Sequence, residues 1–357
     1  MIGLLVLGLM TPEPALLIKR PWTPAGGEMV VSTWPKHAGT GELVLMEHDG
    51  SVLGEAASFT NGQLDVLDAF PALESLDHAA YLQLIVDDEP IGSPLVITPA
   101  LSRLVPVMEE DFTEGRGTWM RIVGWQDAGA EDQDGLPLGA GEFQGAAQEN
   151  DFRRDESVVR SGWWIRPEID VLMTTTMGPI QIDLREDAAP MTALNFQRLT
   201  EDRFYDGTLM HRIIIKGRNG RPFVIQGGDP LGNGTGGPGW WLPIEASTLP
   251  HDFGVISMAR SDHPDSAGSQ WFIALDREET ARLDGLYCAF GDVIDGRDTL
   301  VQLALVPIGD TDYLSSRPIE PPSIIASELV SATPRIPGDG RSESRVSPPD
   351  TAPWNSN

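Results

Sequence analysis

Phe204-Tyr205-Asp206-Gly207-Thr208-Leu209-Met210-His211-Arg212-Ile213-Ile214, followed after a short loop by Phe223-Val224-Ile225-Gln226-Gly227-Gly228-Asp229-Pro230, is the stretch that decides the fold. Its apolar runs are short and end in glycine, as brief strands closed by positive-φ turns do. Taken alone, Arg212 reads as a sheet-surface arginine and Phe223 as a core aromatic, because alternating apolar residues line the inside of a sheet. The same grammar continues downstream in Gly234-Thr235-Gly236-Gly237, then Gly254-Val255-Ile256-Ser257-Met258-Ala259-Arg260. It continues in Asp265-Ser266-Ala267-Gly268-Ser269-Gln270-Trp271-Phe272-Ile273 and in Leu283-Asp284-Gly285-Leu286-Tyr287-Cys288-Ala289-Phe290-Gly291. Upstream, residues 168–176 and 180–184 read as strands joined by Gly178-Pro179. A helix opens at 187–190 and runs to about Thr200, with Pro190 in the first turn, where its missing N–H costs nothing. A second short helix is expected over 298–305.

Taken together and in this order, these segments resemble the cyclophilin family of peptidyl-prolyl cis/trans isomerases, over about residues 168–330. The resemblance implies a closed eight-stranded antiparallel β-barrel with two helices, and peptidyl-prolyl isomerase activity on proline-containing polypeptide clients. It sets the catalytic arginine at Arg212. It sets the substrate pocket at Phe223, Val224, Gln226, Ala259, Arg260, Ser261, Gln270, Phe272, Leu283 and Tyr287, with Gly234 to Gly237 as a glycine loop beside the groove. Three departures stand out. The loop 215–222 is longer than the family pattern, Arg282 stands where a tryptophan is common, and Tyr287 stands where a histidine is frequent. Trp271 for a common phenylalanine is conservative. The alternative reading is a non-catalytic proline-peptide binding or scaffold protein on the same barrel, and a third is a holdase acting through the N-terminal half.

The implied chemistry needs no cofactor and no metal, because no bond is broken. An X–Pro peptide retains partial double-bond character, with a rotation barrier of about 18–20 kcal/mol. Twisting it localises the nitrogen lone pair and makes that nitrogen a better acceptor. A permanently charged arginine stabilises the twisted form more than the planar one. An apolar slot formed by Phe223, Phe272 and Leu283 would hold the proline ring and strengthen that contact. Lowering the barrier by about 7 kcal/mol gives roughly 10⁵-fold acceleration.

Other motifs fail in context. Gly232, Gly234 and Gly237 satisfy a dinucleotide fingerprint, but Pro238 to Pro243 follow, and no helix propagates through that run to meet a phosphate. Asp132 and Asp134-Gly135 hint at a calcium loop whose first and last ligand positions are Ala130 and Gly141. Neither a H-E-x-x-H pair nor a G-x-S-x-G turn occurs. Cys288, the only cysteine, excludes an internal disulfide and reads as an inert core thiol. His211 and His251 read as structural.

The first third of the 357-residue chain has short apolar runs at 15–19, 28–33, 42–47, 52–59, 81–86 and 95–98. Asp49-Gly50 supplies a tight hairpin turn between two of them. The reading is an N-terminal antiparallel β domain over 15–125, sandwich-like, with a strand at 118–125. An acidic, glycine-rich linker follows over 126–166, then the isomerase-like domain over 167–332 and a disordered Pro/Ser/Gly/Arg-rich tail over 333–357. Residues 1–14 form a signal-like segment, which favours export to the periplasm or beyond over a cytoplasmic location. No stretch has transmembrane length, and oligomeric state is left open. With 25 Lys and Arg against 53 Asp and Glu, the formal charge is −28, which disfavours nucleic acid and anionic membrane surfaces as partners.

Overall fold

The computed structural model describes residues 15–18, 20–33, 40–60, 63–100, 104–113, 117–127, 162–245, 247–309, 316–338 and 348. The signal-like segment 1–14, most of the expected linker (128–161) and nearly all of the tail beyond 338 lie outside them. Among the described residues, no helix is long and apolar enough to cross a membrane. Two compact units are present. One takes the described residues up to 168 together with 330–338, and the other takes 169–329.

The first unit contains β1 (Leu16–Ile18), β2 (Trp22–Pro24), β3 (Val30–Thr33), β4 (Thr40–Met46), β5 (Ala57–Thr60) and β6 (Gln63–Asp65). They are followed by the single-turn helix α1 (Val66–Ala69), then β7 (Ala80–Val86), β8 (Glu89–Ala100), β9 (Leu104–Thr113), β10 (Gly117–Asp127) and β11 (Gly162–Pro167). A three-stranded sheet, β1-β3-β6, and a six-stranded sheet, β2-β11-β8-β7-β4-β5, share one core. Leu16 and Val31 of the small sheet, with Met29 just ahead of β3, pack with Leu43, Leu45, Leu82, Ile97 and Trp163 of the large one. Gly50 has φ 87°, as the Asp49-Gly50 turn requires. Asp87 and Asp88, at φ 53° and 64°, make a second tight hairpin turn between β7 and β8 that carries no glycine.

Two expectations change here. β11 starts inside the stretch expected to be linker, yet it is an inner strand of the large sheet, with Trp163 and Trp164 opposite Pro99 and Thr98 of β8. The start of the expected disordered tail is ordered, because Arg335 is an anchor. It is 2% exposed, pairs with the equally buried Glu168, and lies 3.5 Å from the centre of the Tyr81 ring. Its backbone N–H donates to Gln83 Oε1 (3.0 Å) and its Nη1 to the His48 carbonyl (2.7 Å). Composition signalled disorder, but one buried ion pair and one ring face overrule it.

The second unit contains β12 (Ile169–Thr175), β13 (Gly178–Leu184), α2 (Pro190–Glu201), β14 (Arg212–Ile214), β15 (Val224–Gly227), β16 (Val255–Met258) and β17 (Trp271–Ala274). Next come α3 (Arg277–Thr280), β18 (Ala289–Asp295), α4 (Arg297–Ala304) and β19 (Ile324–Ser331), whose last residues enter the first unit. α2 buries Thr192, Ala193, Phe196, Leu199 and Thr200, one face of a helix. Its open N-terminus is capped from a distant loop: Glu245 accepts from the backbone N–H of Met191 (2.9 Å) and Thr192 (2.7 Å). The short α3, capped by Asp276, was not legible as a helix.

Eight antiparallel strands form one sheet in the order β14-β15-β17-β16-β18-β13-β12-β19. The unit is therefore mainly β, as expected, but its ladder is open rather than closed. No ladder joins β14 to β19. The irregular segment 207–210 spans the gap instead, with Gly207 N–H to Ile324 O (2.8 Å), Ile324 N–H to Thr208 O (3.0 Å) and Met210 N–H to Pro322 O (2.8 Å). The cause is local: β14 is three residues long, and Pro321 and Pro322 ahead of β19 have no N–H to offer a ladder.

Candidate active site

Strand alternation separates the site from the core. Cross-strand registers align Ile213, Ile225, Ile273 and Ile256 in one row across β14, β15, β17 and β16, all fully buried in the main core. One residue along, with side chains on the opposite face, the aligned row is Arg212, Gln226, Phe272 and Ser257. One step further on that same face, Ile214 stands opposite Val224. A polar-apolar-apolar triplet at Arg212-Ile213-Ile214 thus puts a cation and an aliphatic wall on one surface and an anchor in the other.

On that surface Ile214, Phe223, Val224, Phe272 and Leu283 form a small apolar cluster of their own, with Ala259 and Tyr287 packed against it. Phe223 and Phe272 are therefore not residues of the main core. Phe272 meets Tyr287 edge-on, with ring centres 5.6 Å apart and planes at 82°. Beside this slot Arg212 Nη1 donates to Gln226 Oε1 (3.2 Å), and Gln226 Nε2 donates to Gln270 Oε1 (3.1 Å). Gln270 Nε2 in turn donates to the carbonyls of Gly234 (3.1 Å) and Gly236 (2.8 Å). Neither glutamine is a generic loop filler, since together they tie the arginine to the glycine loop.

A groove of about 780 Å³ continues from Gln226 and Gln270 between the glycine loop and Ala259, Arg260 and Ser261. The ten residues expected at the pocket therefore divide. Phe223, Val224, Phe272, Leu283 and Tyr287 line the slot, Gln226, Arg260, Ser261 and Gln270 line the groove, and Ala259 touches both. Arg260 lies 4.7 Å from the Tyr287 ring centre and donates to the Leu286 carbonyl. Ser261 bonds Ser266 (2.7 Å) on the groove's far side. No residue of the 215–222 loop lines the groove. Sequence reasoning missed Ile214, which a period-two count from Arg212 would have found. It also missed Trp240 and Trp241, exposed on the groove wall.

Behind Phe272 lies a buried polar array that no local pattern announces. The His251 ring stacks on Phe272 at 5.7 Å and 15°. Its Nδ1 donates to Asp284 Oδ1 (2.9 Å), because a carboxylate can only accept. The other nitrogen, Nε2, then accepts from Ser257 Oγ (3.0 Å) in the neutral ring. Burial lowers the His251 pKa, outweighing the pull of Asp284 in the other direction. Burial also lowers that of His211, against the attraction of Asp229. Asp284, which burial alone would raise, is held at about 2 by the Arg277 guanidinium and by His251. His78 of the first unit goes the other way: burial opposes its charge, but Asp77 and Glu47 raise its pKa. In an NMR titration His211 and His251 are expected to protonate below the usual histidine midpoint of about 6.5 and His78 above it. Both depressed histidines stay neutral in the fold while the unfolded chain takes up protons. They therefore remove stability from the second unit as pH falls below about 6.5, and Asp284 removes more between about 4 and 2.

With this geometry established, the chain was compared with known proteins. Residues 170–328 match the model of the cyclophilin type peptidyl-prolyl cis-trans isomerase/CLD family. A peptidyl-prolyl cis-trans isomerase of Synechococcus elongatus is 38% identical over 134 residues, which are 38% of this chain and 86% of that one. Peptidyl-prolyl cis-trans isomerase-like 1 of Gibberella zeae is 34% identical over 172 residues, covering 47% of this chain and 98% of that one. The crystal structure of a cyclophilin type isomerase of Cryptosporidium parvum, solved in the presence of the dipeptide Ala-Pro, aligns at 34% identity and a TM-score of 0.40, over 46% of this chain and 99% of that one. The chain belongs to the cyclophilin-type peptidyl-prolyl cis-trans isomerase family.

Proposed function

We propose that the second unit catalyses rotation about X–Pro bonds in polypeptide clients, with the proline ring seated among Phe223, Phe272 and Leu283 and Arg212 donating to the prolyl nitrogen as it leaves the amide plane. The observation that carries this reading is the relay from the Gly234 and Gly236 carbonyls through Gln270 and Gln226 to Arg212. A guanidinium fixed before the substrate arrives has no reorientation to undergo as charge develops on the twisted nitrogen. The apolar neighbours lower the local dielectric and strengthen the contact. Chain on one side of the proline would run past Gln270 into the groove. The first unit, which gathers no comparable site among its described residues, holds or localises clients.

Exchange NMR on an X–Pro peptide tests this. The wild-type chain accelerates exchange, whereas peptide binding without acceleration would leave a binding module only. Gln226→Ala, which removes the brace but not the charge, is expected to lower kcat by about tenfold with little change in KM. An unchanged kcat would show that Arg212 is held by other means.

A further inference from the structure

The 215–222 loop and the turn carrying Arg282 form one charged assembly at the Phe223 edge of the slot. Glu279 of α3, 3% exposed, accepts from the backbone N–H groups of Arg218 (3.0 Å) and Asn219 (3.1 Å). It also pairs with Arg282 Nη2 at 3.3 Å. Gly217 lies so close that a Cβ there would come within 2.5 Å of Glu279 Cδ. Arg221 completes the attachment with two bonds to Asp276, at 2.9 and 2.6 Å. The loop and α3 therefore hold a single arrangement.

That arrangement fixes a cation on the slot. The Arg282 guanidinium lies 4.2 Å from the centre of the Phe223 ring, and Phe223 is a wall of the apolar cluster. Stacked on that ring and paired with a buried carboxylate, the Arg282 side chain is still 33% exposed, so its charge faces solvent at the slot. The nearby acids are engaged: Glu279 with loop backbone and Arg282, Asp276 with Arg221, and Asp284 with Arg277. Glu278 stands 3.5 Å from Arg221. Lys216 and Arg218, both exposed on the loop, enter no side-chain ion pair among the described residues. A cationic margin beside the slot is conspicuous in a chain whose net charge is −28.

We propose that Arg282 is a specificity-determining residue which, with Lys216 and Arg218, favours clients carrying an acidic side chain next to the isomerised proline. The inference rests on the proline occupying the slot as described above. Its test uses the full chain and X–Pro peptides that differ only in having Glu, Gln or Lys immediately before or immediately after the proline, read as kcat/KM by exchange NMR. At one of the two positions the wild type is expected to prefer Glu over Lys by about three- to fivefold, through KM, with Gln between them. The ratio should shrink toward one as salt rises from 50 to 500 mM, where the screening length falls to a few ångströms. Arg282→Glu should invert the order, and Arg282→Gln should flatten it. Equal rates for all peptides in an active wild-type enzyme, or an order that survives Arg282→Glu, overturns the proposal. Absence of acceleration on every peptide would instead count against the proposed isomerase reading, so the two failures are distinct.

Discussion

Arg212→Ala is expected to lower kcat/KM for an X–Pro peptide by about 10²–10³-fold, the usual effect of removing a donor aimed at transition-state charge. Among the described residues of the slot no other group is placed to replace it, since Arg282 is stacked on Phe223 and paired with Glu279. Gln226 and Gln270 are neutral and engaged with each other, and Arg260 is turned to the Leu286 carbonyl and the Tyr287 ring. The loss should appear mainly in kcat, because the ring of a ground-state proline is held by Phe223, Phe272 and Leu283 whether or not the guanidinium is present. Arg212→Lys should recover only a small part, since a point charge lacks the fork that reaches Gln226 and a prolyl nitrogen together. Chymotrypsin-coupled or NMR exchange rates for both variants decide the matter. An Arg212→Ala enzyme within threefold of wild type would move the chemistry to another group.

Arg335→Ala is expected to cost the first unit about 3–5 kcal/mol, because it removes the buried cation paired with the Glu168 carboxylate. Both side chains are 1% exposed, so water cannot substitute for the missing partner. The Tyr81 ring also loses the cation stacked on it and the His48 carbonyl loses its Nη1 donor, whereas the Gln83 bond, made to the backbone N–H of residue 335, is kept. Replacing both members, with Glu168→Gln and Arg335→Met together, should recover much of the loss, since the penalty belongs to the uncompensated charge rather than to the absence of a pair. Urea unfolding, followed by the fluorescence change of the first unit, measures both. A single variant costing under about 1 kcal/mol would mean that Glu168 finds water or another cation.

What the sequence disclosed and what it concealed divide along physical lines. The slot was legible through the family resemblance, which rests on several glycine-punctuated segments in a fixed order; taken alone, Arg212 reads as a sheet-surface arginine and Phe223 as a core aromatic. The second helix was placed within one residue of α4, since its apolar spacing is local. Features made by distant partners were not legible. His251 meets Ser257 and Asp284 only after the sheet forms, and Arg335 finds Glu168 across 167 positions. The short α3 lacks a full helical period from which to read it. The open ladder was hidden for a different reason. The family resemblance implies strands, but whether the last two meet depends on Pro321, Pro322 and an irregular link.

The strap at 332–338 also has a temporal meaning. A ribosome delivers residues in order, so the whole of 169–329 emerges before Arg335 does. Until then Glu168 lacks the Arg335 guanidinium, and the Gly338 N–H that bonds the Gly50 carbonyl has not been made. Of the two units, the one whose strands emerge earlier is therefore completed later, with residues 169–329 already in hand while the residues up to 168 still wait for this clasp.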